Sequence, residues 1–142
     1  MATKADKRRQ DALRAVLHGM REETVQDIEA QMGRRLNEAT RRTIDAAMDV
    51  GDWAAMDLED DVDLTLLQLR YQRYKEIADA FRRLEADAYG VCEQCQAEIP
   101  MERLEVEPFA RFCVACQERL EALERVEREE QRFKTAPTPA RR

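Results

Sequence analysis

The chain has 142 residues, of which 38% are charged and 6% are Phe, Trp or Tyr, and it carries a formal net charge of −6. So few large side chains exclude a thick globular core, the length suits one domain or one extended unit, and the negative balance disfavours DNA or an anionic membrane surface as a partner. The opening residues, MATKADKRRQ, are polar with no apolar run behind them, so no signal peptide or membrane span is read; a cytoplasmic, reducing location follows, which argues against structural disulfides.

Residues 1–10 read as a polar N-terminal segment. From about residue 5 to 48 there is no proline. Apolar or small residues recur there at Leu13, Leu17, Met20, Thr24, Ile28, Met32, Leu36, Ala39 and Thr43, in steps of three and four that mark one helical face. The spacing predicts a single helix over 11–48, roughly 55 Å long. Gly19 and Gly33 each cost such a helix about 1 kcal/mol, which its length absorbs.

The next stretch, DAAMDVGDWAAMDLEDDVD over 45–63, holds eight acidic residues and no basic one, so the rest of the chain is +2. In its middle are Gly51 and the only tryptophan, Trp53. A second helical stripe follows: Leu58, Val62, Leu66, Leu69, Ile77, Ala80 and Leu84, with Arg73 its one polar break. Two stripes joined by a short connection imply an antiparallel helical hairpin, a coiled coil over 11–88. Its tip is 49–54, where Gly51 is free to take a turn conformation that a side chain resists.

The sequence DAYG closes the second helix at Gly90. Residues 92–116 contain Pro100, Pro108 and all four cysteines, and cannot form one continuous helix. A third helix starts near Cys113 and carries Leu120, Leu123, Val126 and Phe133. This gives a finger segment over 89–117, a C-terminal helix over 118–134, and a tail, TAPTPARR (135–142), expected to be disordered. The fold class is therefore mostly α: a long hairpin, a small finger and a C-terminal helix.

The cysteines are spaced Cys92-x2-Cys95, then seventeen residues, then Cys113-x2-Cys116. This falls in the range of a four-thiolate zinc site, in which each CxxC turn offers two sulfurs to one ion. A redox dithiol is the alternative, but two matched pairs without a flanking βαβ pattern do not favour it; a redox-sensitive zinc site stays open. Four protein ligands leave no position for water, so one structural Zn²⁺ per chain is expected. Residues 90–117 carry five glutamates and two arginines, and a zinc–tetrathiolate adds two negative charges, so phosphate is repelled and sequence-specific DNA binding by the finger is not expected.

No catalytic residue is legible. His18 lies in a polar helical segment, and there is no glycine-rich phosphate loop and no nucleophile beside a base. Asp49 and Asp52 pair carboxylates at the tip. An exposed tip does not exclude water as acid–base work requires, although it can hold a hard cation weakly. On composition alone the stretch reads as a solvated acidic loop.

A hairpin with an acidic tip followed by YGVCEQCQAEIPMERLEVEPFARFCVACQERLE resembles the DksA/TraR family of bacterial transcription regulators. Residues 89–121 carry its pattern, Tyr-Gly-x-Cys-x-x-Cys, then Ile-x-x-x-Arg-Leu-Glu, then Pro and Cys-x-x-Cys. DVGDWAA falls on the family's tip motif, Asp-x-x-Asp-x-Ala. The resemblance spans roughly residues 11–125. It implies binding to RNA polymerase and not to DNA, with the hairpin entering the secondary channel and the tip altering promoter-complex stability. It carries the tip roles onto Asp49, Asp52 and Ala54. Trp53, counted with them as a tip residue, stands where a polar or basic residue is usual and is expected to add a stacking or apolar contact, and Gln96 follows Cys95 where glycine is usual, at a cost in turn strain. The family's ppGpp site at the coil–finger junction needs cations; the matching positions here are Glu76, Glu107 and Gln117, so ppGpp binding there is not expected. A monomer is expected, with a zinc-finger adaptor and a transcript-cleavage factor as alternative functions.

Overall fold

The computed structural model describes residues 4–137 and 139. The chain divides into two compact units between Ala86 and Asp87. The first is built of helices α1 (Lys4–Met32), α2 (Glu38–Val50) and α3 (Leu64–Glu85), with a 3-10 turn at Trp53–Met56; the second holds α4 (Met101–Val106) and α5 (Val114–Thr135). Among the described residues the only β pairing is an isolated antiparallel bridge between Val91 and Glu98.

The hairpin is present, and its two arms are α1 and α3. Near one end Gln31 meets α3, its amide donating to the Asp63 carbonyl at 2.9 Å and its oxygen accepting from Arg70 at 2.8 Å. Ten residues earlier, Arg21 lies over the Phe81 ring. The arms therefore run antiparallel. α1 buries Leu13, Leu17, Thr24, Ile28 and Met32, the stripe read from the sequence. It begins at Lys4, so most of the polar segment set apart as 1–10 is helical; Lys, Arg, Ala and Gln are good helix formers wherever one face is solvated.

The first arm is not one helix over 11–48. α1 tolerates Gly19 but stops at Gly33, which takes φ 71 and donates its N–H to the Glu29 carbonyl at 2.9 Å, a left-handed C-cap. The Leu36 N–H then reaches back to Glu29 Oε1 at 3.0 Å. Asn37 starts α2 by accepting from the Thr40 N–H at 2.8 Å. In a straight continuation Arg41 would lie about 13 Å beyond Met32. Instead Arg41 donates to the Tyr74 hydroxyl at 3.1 Å, Tyr71 donates to Asp45 Oδ1 at 3.0 Å, and Lys75 pairs with Asp45 at 2.9 Å. α2 has folded back onto α3. The break also resets the helical phase, so α2 buries Ile44 and Ala47 in place of the expected Ala39 and Thr43.

A second phase error has a similar origin. The expected stripe of the second arm ran from Leu58 through Leu66 and Leu69, but α3 begins only at Leu64, where Asp63 Oδ1 caps the Leu66 N–H at 3.1 Å. Leu66 and Leu69 are 39% and 65% exposed. The buried face is Leu67, Tyr71, Tyr74, Ile77, Ala80 and Leu84. Leu58 and Val62 pack on the core from the loop.

In the second unit Tyr89, Cys92, Ile99, Leu104 and Cys116 are buried. Beyond Cys116, α5 is solvated along most of its length, with Leu123, Val126 and Phe133 exposed. Thr135 closes α5; of the tail expected to be disordered, 138 and 140–142 lie outside the described residues.

Candidate metal centre and acidic turn

Each cysteine pair sits on a local device that aims its sulfurs inward. Around the first pair the chain makes a tight reversal. The Cys92 N–H bonds the Ala97 carbonyl, the Gln96 N–H bonds the Cys92 carbonyl, and the Ile99 N–H bonds the Gly90 carbonyl, at 2.9, 2.9 and 2.8 Å. Gly90 takes φ 75, and Gln96 takes φ 60, the left-handed conformation in which a side chain is strained. The second pair uses a helix start. Cys113 is the N-cap of α5 and Cys116 lies one turn in, with the Gln117 N–H bonding the Cys113 carbonyl at 2.9 Å.

The four sulfurs lie within 4.8 Å of one another, Cys95 and Cys113 being 3.8 Å apart. Four thiolates at the usual zinc–sulfur distance of about 2.3 Å stand about 3.8 Å from each other, so the set fits one tetrahedral Zn²⁺. Among the described residues this is the only group of three or more Cys, His, Asp or Glu residues whose donor atoms lie close enough together to hold a metal ion. The surrounding groups shift two of the thiols in opposite directions. Burial opposes ionisation of Cys92, but backbone N–H groups of Cys95, Cys113 and Gln94 outweigh it and bring the thiol down to about 6. Cys116 goes the other way: its hydrogen bond with Cys113, then burial, push it up to about 12. The Arg119 guanidinium donates to Cys116 Sγ at 3.1 Å and offsets part of the cluster's negative charge.

The finger's remaining contacts close its loop. Tyr89 donates to the Pro108 carbonyl at 2.7 Å, Arg103 donates to the Phe112 carbonyl at 3.2 Å, and the Glu93 N–H bonds the Arg111 carbonyl at 2.9 Å. Glu107 pairs with Arg103 at 3.3 Å, and Gln117 bonds Glu121 at 2.9 Å.

At the other candidate site, α2 ends at Gly51, whose φ of 74 and N–H bond to the Ala47 carbonyl at 2.7 Å turn the chain. Asp52 follows with no side-chain capping bond, then the 3-10 turn, then Asp57 at φ 51. Asp49, Asp52 and Ala54 are exposed, as is Val50 at 79%. Trp53 is half-buried and packs on the core cluster of Ile28, Met32, Ile44, Ala47, Met56, Leu67, Tyr71 and Tyr74. Met56, 1% exposed, was not singled out in the sequence; its signal was an apolar residue three places after Trp53 in an otherwise acidic run. Tyr71 keeps its proton far above the ordinary range, because it is buried and hydrogen-bonded to the Asp45 carboxylate, and so stays a donor that ties α2 to α3. His18 is an exposed residue of α1.

Comparison with known proteins bears on both sites. Residues 88–122 match the family described as the prokaryotic dksA/traR C4-type zinc finger, which bears out the resemblance and the zinc site. The chain is 34% identical over 82 residues to the RNA polymerase-binding transcription factor DksA of Caulobacter vibrioides, a match covering 58% of each chain. It is 26% identical over 103 residues to the factor of the same name from Haemophilus influenzae, covering 72% of this chain and 68% of that one. The chain thus spans under two thirds of the Caulobacter relative's length. Among solved structures, transcription factor DksA2 from Pseudomonas aeruginosa superposes with a TM-score of 0.60 at 27% identity, covering 88% of this chain and 92% of that one.

Proposed function

We propose that this chain, whose finger is of the dksA/traR C4 type, is a non-enzymatic cytoplasmic regulator that binds RNA polymerase as a monomer and modulates transcription initiation. The observation that carries the reading is the pairing of that finger with a fixed turn that exposes Asp49, Asp52 and Ala54 at the end of a helical unit. The relatives' names supply the partner. The hairpin enters the secondary channel and the turn acts on the promoter complex after docking. An open complex is held in a fine balance, and a differential contact of about 1.4 kcal/mol moves such a balance tenfold.

The finger's zinc is structural on this reading, and its glutamates keep it off nucleic acid. The positions where the family places cations for ppGpp are taken differently here. Glu107 is paired with Arg103, Gln117 is bonded to Glu121, and Glu76 is an exposed acid on α3. Regulation therefore proceeds without ppGpp bound at those residues. With a polymerase lacking its own ppGpp site, the nucleotide should not enhance the effect of this protein; enhancement abolished by changing Glu107 or Gln117 would contradict that. A transcript-cleavage factor needs carboxylates gathered on a hard cation, and among the described residues no such gathering supports it.

The test is binding to purified core polymerase with a crosslinker at exposed position 54. Crosslinks to residues lining the secondary channel are expected. Binding without such crosslinks would leave the zinc-finger adaptor reading in its place.

A further inference from the structure

We propose that Trp53 and Arg34 are positioning residues for the acidic turn: they hold it from inside the helical unit and do not themselves touch the partner. This rests on the reading of the turn as the acting surface, which singles out Trp53 by sequence position but does not say which way the indole faces.

The geometry of the turn decides the direction. A 3-10 turn has three residues per turn, so positions three apart lie on one face. In Trp53–Met56 those positions are Trp53 and Met56, and both pack on the core cluster. The positions between and before them, Ala54 and Asp52, are left on the solvent side and are exposed. The indole thus works as a peg beside Met56, and its inward placement is what turns Asp52 outward.

Arg34 supplies the second hold, from far away in sequence. It lies in the connection between α1 and α2, and its guanidinium donates to the Met56 carbonyl, the last of the turn. Terminal carbonyls of a helical turn lack a partner within it, so this bond caps the exit of the turn just before Asp57 reverses the chain. The neighbouring Leu36 packs on the same cluster and its N–H is fixed to Glu29. The folded-back connection that breaks the first arm therefore braces the turn.

The single tryptophan makes the inference testable without polymerase. In the full-length zinc-loaded protein, Arg34→Ala should raise acrylamide quenching of Trp53 emission at least twofold and shift it to the red, with far-UV helicity kept; Arg34→Lys, which still offers a donor, should largely restore the wild-type signal. Unchanged quenching in Arg34→Ala would overturn the brace. With core polymerase, Trp53→Ala should lose about tenfold in its effect on promoter-complex lifetime while its affinity changes less than threefold, and Trp53→Phe, which refills the apolar site, should recover most of the effect. Loss of affinity equal to the loss of effect, or failure of Trp53→Phe to recover, would mean that the indole contacts the partner and the proposal is wrong. If Asp52→Asn is without effect on the promoter complex while Arg34→Ala still loosens Trp53, the brace stands and it is the reading of the turn as acting surface that fails.

Discussion

The acidic turn and the zinc finger are both short irregular joints between helices, each with a left-handed residue at a tight corner, and they are fixed by opposite means. The finger draws its rigidity from four sulfurs within 25 residues of one another, with Tyr89, Ile99 and Leu104 as a small apolar complement. The turn is fixed by packing. It is held by Trp53 and Met56 inserted into a core made by three other helices, and by a bond from Arg34. One joint is built around four converging sulfurs and the other is built into the helical core, so either is expected to fail while the other holds.

That contrast can be broken most severely at the metal. Structural zinc in such sites contributes on the order of 10–16 kcal/mol. Cys113→Ser, or chelation, should unravel residues 90–117 while most of the helical circular dichroism of the first unit persists; one zinc per chain by elemental analysis before, and none after, completes the test. Global loss of helicity on chelation would show that the two joints are not independent. Met56→Ala is the matching lesion of the turn. Removing a fully buried side chain should destabilise the first unit by about 2–5 kcal/mol in denaturant unfolding and leave zinc content at one. Two smaller changes sharpen the comparison at its corners. Gly51→Ala meets no atom within 4 Å but must adopt φ 74, so a loss of about 1 kcal/mol in the first unit is expected. Gln96→Gly relieves the same strain in the finger, and should strengthen zinc retention against a chelator by up to about 1 kcal/mol, or fivefold, with hairpin stability unmoved.

The same contrast explains what could be read in advance. The finger was legible because its determinants are local: the cysteine spacing names the ligands, and the departure at Gln96 marked a strained corner that the structure places in the left-handed region. The burial stripe of α1 was legible because nothing interrupts its period up to Met32. The arms went wrong where a period was carried across a break. A lone Gly33 inside a good helical pattern costs little in itself, and it is the return of Leu36 to Glu29 together with the contacts of Arg41 and Asp45 with distant residues that makes stopping there better than continuing. The register of α3 failed for the same reason, because Leu58 and Val62 pack on the core without being helical. At the acidic turn the exposed residues were identified by position, but the inward face of Trp53 and Met56 is set by packing partners on three different helices, Ile28 and Met32 among them more than twenty residues away, which no local pattern encodes.

The central claim is that the turn acts on the promoter complex after other surfaces have docked the protein. It is tested most directly by Asp52→Asn, which removes one exposed charge and keeps the side chain's size and shape. Competition binding to core polymerase and decay of a preformed promoter complex are to be measured on the same preparations at matched occupancy. The account predicts an affinity within threefold of wild type, under about 0.7 kcal/mol, together with loss of most of the effect on complex lifetime. A variant that keeps its full effect, or that loses effect only in proportion to lost binding, would contradict it.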